Sequence, residues 1–260
     1  MVEPKNKTKT TDVGFLDEHA AEGYENVSAE DFSIPFLKIL QPLSPQIDED
    51  APEFLKGAKS GMFFNTITER LYGRTIELIP LMYKKVWLEW VPDRGGLVGK
   101  HEPGSIKVNK DKFTKWTTEK GNIIAEHHNF YCLVANHFEE GPIVFSLSST
   151  GNRHAKNWNT QIMMTRLPSG GHAPFFSSVW ELETVKNKND SGSWYMIGDK
   201  KSMIKRVRFV TQIEFTDQVL PNRESLDSLK DLDYSQLEDS RNVTPKVDSG
   251  GDESADSAPY

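Results

Sequence analysis

The sequence predicts a mainly β domain with one or two helices: an OB-like five-stranded barrel with elaborated loops. Two observations carry this prediction. Runs rich in β-branched and aromatic residues recur through residues 62–197, and a single stretch among them has helical periodicity. Small barrels close their own edges and accommodate an intervening helix, which favours a barrel over a sandwich.

The elements follow in order. Residues 62–67 form a short strand, with a turn at Tyr72-Gly73-Arg74. Residues 75–90 carry the strongest strand pattern and contain no glycine. Alternation sends Leu78, Met82, Val86, Leu88 and Trp90 towards one face and Glu77, Tyr83, Lys85, Trp87 and Glu89 towards the other. Pro80 lacks an amide donor and marks a bulge or an edge. A glycine-rich loop follows at 92–99. Residues 123–138 form a second long strand, and the turn at Glu140-Gly141-Pro142 leads to a strand over 143–147. Ala155, Trp158, Ile162 and Met163 recur at spacings of three and four, so 152–167 is a helix, ended by Pro168-Ser169-Gly170-Gly171. Strands follow at 175–185 and 194–197. Residues 201–220 fit either period, and a helix is preferred because the segment directly precedes a polar tail.

Charge divides the chain into three parts. Residues 1–31 carry 3 basic and 8 acidic residues, and residues 222–260 carry 4 basic and 10 acidic. The body, 32–221, keeps 24 basic and 20 acidic residues although the whole chain has a net charge of −7. The ends cannot bury enough apolar surface to order themselves, so 1–31 and 222–260 are expected to be disordered acidic segments flanking one domain. A mildly basic body between acidic ends fits a nucleic-acid or partner-binding protein.

Several classes of function find no support. No run reaches the roughly 18 apolar residues of a membrane span. The only cysteine, Cys132, excludes an internal disulfide or a cysteine-rich zinc site. The N-terminus lacks an apolar secretory stretch, so a cytoplasmic protein is expected. Gly95-Gly96-Leu97-Val98-Gly99-Lys100 is one residue short of a phosphate loop between its glycines and is followed by His101 instead of Ser or Thr. His127 and His128, adjacent on a strand, point to opposite faces, and His137 lies too far along that strand to join His127. Residues 151–154 hold no nucleophile elbow, and the acidic residues concentrate at the ends, away from any two-metal centre. No cofactor, metal or catalytic residue is therefore expected, and the protein is expected not to be an enzyme.

What remains is aromatic residues interleaved with cations. Binding a single strand needs a positive groove for phosphates and ring faces for bases. The candidate DNA-binding residues are Tyr83, Lys85 and Trp87 on the long strand; Arg94, Lys100, Lys107, Lys112, Lys115 and Trp116 in the following segment; Arg153, Lys156, Trp158 and Arg166 around the helix; and Lys201 and Lys205 beyond the last strand. Phe130, Phe175 and Trp180 are assigned to the core. The acidic tail, with Asp252, Glu253, Asp256 and the terminal Tyr260, is expected to occupy the cationic groove when it is empty and to recruit partner proteins when it is displaced.

Three motifs carry a resemblance. They are Ile34-Pro35-Phe36-Leu37-Lys38-Ile39-Leu40-Gln41 with Ser44-Pro45-Gln46, Gly57-Ala58-Lys59-Ser60-Gly61-Met62-Phe63-Phe64-Asn65-Thr66-Ile67-Thr68, and Ile79-Pro80-Leu81 with Trp90-Val91-Pro92-Asp93-Arg94-Gly95-Gly96. With them the chain resembles a family of tailed-bacteriophage proteins described as single-stranded DNA-binding proteins of OB-like fold. The resemblance implies a role in phage replication and recombination: coating single-stranded DNA and recruiting phage or host polymerase, helicase or recombinase. Tails of such binders commonly end in Phe, whereas this one ends in Tyr260. The alternatives are a DNA-processing nuclease of the same pathway and a phage structural or interaction protein.

Overall fold

The computed structural model describes residues 35–92, 95–110, 116–189, 192–198 and 204–226, together with Gly14, Glu22 and Gly23. The chain enters the fold as an extended strap. Leu37–Ile39 (β1) pairs antiparallel with Phe63–Asn65 (β2), which pairs with Leu71–Gly73 (β3). Thr75–Trp90 (β4) follows and is the spine of a second, larger sheet. The other strands of that sheet are Leu97–His101 (β5), Asn109–Lys110 (β6), Trp116–Thr117 (β7), Ile123–Val134 (β8), Ile143–Ser148 (β9), Ser178–Asn189 (β10), Gly192–Ile197 (β11) and Ile204–Phe209 (β12). Helix α1, Asn152–Met164, connects β9 to β10.

Although the sheet has nine strands, it is five strands wide. From Leu78 to Trp90 β4 pairs with β8, and its opposite edge is shared by β10 at Thr75–Leu78 and β5 at Trp87–Trp90. In turn, β8 pairs beyond β4 with β9, and β11 and β12 occupy successive stretches of the outer edge of β10. The result is a mainly β fold whose curled antiparallel sheet forms a half-barrel of the OB-like kind.

Each face of the sheet buries its own core. Leu78, Phe130, Phe145, Trp158, Trp180 and Leu182 fill the face covered by α1 and the strap. Ile79, Leu81, Val86, Leu88, Trp90 and Tyr131 fill the opposite face, with Val219 and Leu226 of the C-terminal helical run. A bulge decides which residues face which core. Pro80 pairs with Cys132 and Met82 with Tyr131, so Leu81 is an extra residue. Parity shifts there: Leu78 packs on the α1 side, whereas Met82, Val86, Leu88 and Trp90 pack on the other. The expectation of a bulge near Pro80 is met, and the expected grouping of Leu78 with Met82 is corrected by the same bulge.

The strap links two edges of the half-barrel. At the β9 edge, Phe36 forms a parallel bridge with Val144, whose N–H donates to the Pro35 carbonyl at 2.8 Å. At the β11 edge, the Gln41 side-chain amide substitutes for a strand. Its Nε2 donates to the Tyr195 carbonyl at 2.9 Å, and its Oε1 accepts from the Tyr195 N–H at 2.8 Å. Gly61, with φ of +88°, runs close beneath the same tyrosine, where an added Cβ would sit 2.4 Å from the ring.

The last segment resolves its two competing periods in sequence. Residues 204–209 are a strand, paired with β10, which corrects the preference for helix there. Helix begins after Thr211, as α2 (Gln212–Glu214), a π turn (Phe215–Val219) and α3 (Leu220–Ser225). A capping box starts it: Thr211 accepts the Glu214 N–H at 3.2 Å, and Glu214 accepts the Thr211 N–H at 2.9 Å. Leu226 is 2 % exposed, so the folded body extends past residue 221, the expected boundary of the tail. Residues 227–260, and nearly all of 1–31, lie outside the described residues. Among the described residues no helix is long and apolar enough to cross a membrane.

Candidate nucleic-acid interface

Beyond the bulge, Tyr83, Lys85, Trp87 and Glu89 of β4 alternate onto the α1 side of the sheet. Directly opposite them on β8 lie Phe130, His128, Glu126 and Ile124. Residues paired across a sheet share a face, so these side chains form one surface. Trp116 of β7 pairs with Ile124 and joins it. Its ring meets the Trp87 ring edge-on at 5.1 Å between centroids, and Lys110 Nζ lies 4.4 Å from its centroid. Trp87 is buried, whereas Trp116 is half-buried and Lys110 exposed. The outer of the two indoles is thus the one that presents surface.

A polar chain adjoins the indoles. Tyr83 Oη lies 2.6 Å from His128 Nδ1, His128 Nε2 lies 3.0 Å from Glu126 Oε1, and Lys85 Nζ lies 3.5 Å from Glu126 Oε2. Burial pushes the Tyr83 hydroxyl above its ordinary pKa, and Glu126 adds to the shift. Burial also lowers the His128 pKa, against the opposing pull of Glu126. Burial alone would raise Glu126, but Lys85 and His128 together hold it below the usual carboxylate range. On α1, exposed Lys156 adds positive potential at His128, and exposed Arg153 lies one turn earlier.

The arm that carries Trp116 is tied down by Glu89. This buried carboxylate accepts from Asn122 Nδ2 at 2.7 Å and contacts His101 Nε2 at 2.8 Å. The Asn122 bond is the largest factor holding its pKa low. One carboxylate on β4 therefore fixes both β5 and the turn before β8.

Of the sequence candidates, Tyr83, Lys85, Trp87 and Trp116 come together here, with Lys156 at the border. Trp158 does not, and its assignment is corrected. It is fully buried, stacked on Phe130 at 4.4 Å and edge-on to Trp180 at 6.4 Å. Lys100, opposite Leu88, and Lys205, opposite Glu181 and bonded to it at 2.7 Å, are registered on the other face of the sheet. Lys107 is exposed on the arm, and Arg166 is bound to His172 Nδ1 beyond the end of α1. Arg94, Lys112, Lys115, Lys201 and the tail residues Asp252, Glu253, Asp256 and Tyr260 lie outside the described residues. As assigned, Phe130 and Trp180 are core, with Phe175 half-buried against it.

Sequence reasoning did not single out a second polar cluster. The Glu140 side chain is buried and accepts from Asn65 Nδ2 at 2.6 Å, Thr68 Oγ1 at 3.2 Å and the Tyr72 hydroxyl. Arg70 pairs with Glu140, with Glu139 at 3.4 Å and with His137 Nδ1 at 2.8 Å. His137, Glu139 and Glu140 are spaced to hold a metal ion, but the Arg70 guanidinium already supplies the cation. A cleft of about 260 Å³, lined by Tyr72, Glu77, Asn136 and His137 among others, adjoins this cluster. The signal for it was the pairing of Arg70 and Tyr72 with two acidic residues at a turn, in segments far apart in sequence.

A family model described as Pam3 phage gp34-like protein matches residues 5–204 of the chain. Neither curated proteins nor solved structures provide a match.

Proposed function

We propose, for a chain that belongs to the Pam3 phage gp34-like protein family, a role as a non-enzymatic binder of single-stranded DNA in phage replication or recombination. The observation that carries this reading is the convergence of Trp116, Lys110, Lys85 and Tyr83, from three strands, on one face bordered by Lys156 of α1. Ring and cation at this spacing suit alternating base and phosphate. An exposed ring face contributes about 1–3 kcal/mol per stacked base without reading its identity. The cations contribute a term that weakens as salt rises, because binding releases counterions from the strand.

The acidic C-terminal segment completes the proposal. Residues 227–260 carry 3 basic and 9 acidic residues. They compete with DNA for the cationic face and, once displaced, are free to recruit a polymerase, helicase or recombinase.

The test is titration of a labelled oligo-dT with the full chain and with a chain ending just past Leu226, at two salt concentrations. A cut at residue 221 would remove the buried Leu226 and confuse tail loss with unfolding. Salt-sensitive binding, tighter without the tail, supports the reading. Absence of binding by both chains at low salt refutes it.

A further inference from the structure

The proposed interface contains a buried histidine that strand binding as described does not use. His128 has a side chain 3 % exposed, and both of its ring nitrogens are engaged, Nδ1 by Tyr83 and Nε2 by Glu126. The charged and titratable groups facing it are Tyr83 and Lys85 from β4, Glu126 from β8 itself and Lys156 from α1. Apolar Leu147 is its register partner on β9. The cluster therefore holds two lysines, one carboxylate and one group that can gain a proton.

Its hydrogen bonds can be satisfied in either state of the imidazole. When neutral, Nε2–H donates to Glu126 while Nδ1 accepts from the Tyr83 hydroxyl. When charged, both nitrogens donate, and the Tyr83 oxygen becomes an acceptor. Protonation thus needs rotation of the Tyr83 hydroxyl, which also has Asn159 of α1 as a hydrogen-bond neighbour. Lys85 is the other variable. Its ammonium is 3.5 Å from Glu126, and its side chain is 38 % exposed, so it is within reach of a phosphate. A phosphate drawn to Lys85 brings negative charge towards Glu126, and a proton on His128 offsets that charge.

We infer that His128 is a positioning residue that couples strand binding to the uptake of one proton. The proton sits on the imidazole between Tyr83 and Glu126, while Lys85 turns from Glu126 to the strand phosphate. This rests on the reading of this face as the strand-binding surface. The sign follows from linkage. Burial keeps His128 neutral in the free protein at pH 7, and a nearby phosphate raises its pKa. Affinity therefore increases as pH falls through the raised pKa and reaches its limit below the pKa of the free protein. Each unit by which binding raises that pKa gives about tenfold tighter binding at the acid limit.

The experiment measures oligo-dT affinity of the full chain from pH 8 to pH 5.5 at fixed salt, for the wild type, His128→Gln, Tyr83→Phe and His101→Gln. In the wild type, affinity should rise severalfold to tenfold towards acid. His128→Gln should abolish this rise while retaining binding at pH 8. Tyr83→Phe keeps the ring but removes the acceptor for the charged imidazole, and should flatten the rise even if His128→Gln fails to fold. His101→Gln should leave the rise intact. A rise that survives both His128→Gln and Tyr83→Phe, or is lost in His101→Gln alone, overturns the inference while leaving strand binding standing. Absence of binding by the wild type at every pH instead refutes the reading on which it rests.

Discussion

Trp116→Ala should separate the proposed strand binding from fold at a single residue. Trp116 sits on a two-residue strand and is half-buried, with its ring held by Trp87 at 5.1 Å and covered by Lys110 at 4.4 Å. Loss of the edge-on packing against Trp87 costs about 0.5–1.5 kcal/mol. Most of that falls on the arm, because the two main cores do not include Trp116. Global stability should thus change by about 1.5 kcal/mol or less. Binding should change more. One stacked base contributes about 1–3 kcal/mol, which corresponds to roughly 5- to 150-fold in Kd. Fluorescence anisotropy with oligo-dT, alongside urea unfolding of the same preparation, measures both quantities. The salt dependence discriminates further. Trp116→Ala leaves every phosphate neutralised as before and should not alter the slope of log K against log salt. Lys110→Ala should reduce that slope by about 0.7 for the one phosphate that the lysine no longer neutralises. A Trp116→Ala protein that binds within twofold of the wild type would refute the placement of the strand on this face.

Trp158→Ala should behave in the opposite way, destabilising the protein by about 3–5 kcal/mol through loss of a fully buried indole, read as a shift in urea midpoint. Gly61→Ala should cost about 1–3 kcal/mol, because its Cβ would meet the Tyr195 ring at 2.4 Å. A Tyr195→Ala change in the same chain should recover part of that loss, and additive losses would argue against the clash. Glu214, bonded to Arg208 at 2.6 and 2.7 Å, has its pKa lowered to about 2. A carboxylate with a depressed pKa stabilises the fold above its unfolded value, and that contribution fades as pH falls from about 4.5 towards 2. Glu214→Gln should therefore lower the thermal midpoint at pH 7 and reduce the difference from wild type as pH approaches 2; a pH-independent difference would refute the linkage.

Elements that bury large β-branched and aromatic runs were legible from residues alone. The long strand at 75–90, the strands starting at 123 and 143 and the helix from 152 follow from side-chain period, because a buried face leaves one periodicity as its trace. The strand from 123 ends at Val134 rather than at 138, because Asn136 turns with a positive φ and Phe138 opens a 3-10 turn. The helix ends at Met164 rather than at 167 because Thr165 is already extended, ahead of the turn at Pro168. Elements of two or three residues, β1, β3, β6 and β7, are too short to show a period and exist through their partners. The capping box Thr211-Gln212-Ile213-Glu214, which the reading of 201–220 as one helix passed over, marks where strand gives way to helix. Trp158 is the instructive error. Its spacing with Ala155 and Ile162 already placed it on the apolar stripe of α1, and charged neighbours at Arg153 and Lys156 drew it into the candidate site. On a helix, sequence proximity to a cation does not mean a shared face.

The composition of the proposed interface depends on one extra residue. Without the bulge at Leu81, strict alternation along β4 would continue the phase of Ile76 and Leu78. Met82, Val86, Leu88 and Trp90 would then turn towards α1, and Tyr83, Lys85, Trp87 and Glu89 would turn towards the core that now holds Val219 and Leu226. That arrangement would bury Lys85 and Glu89 away from their present partners, at a cost of several kcal/mol per unpaired charge. A single strand can serve two opposite hydrophobic cores and still present a polar aromatic surface only if its parity changes midway. Pro80 supplies the local cause, since it cannot donate to the ladder and the pairing must slip beside it. The bulge therefore shapes the proposed interface as much as Trp116 does, although it lies in the core.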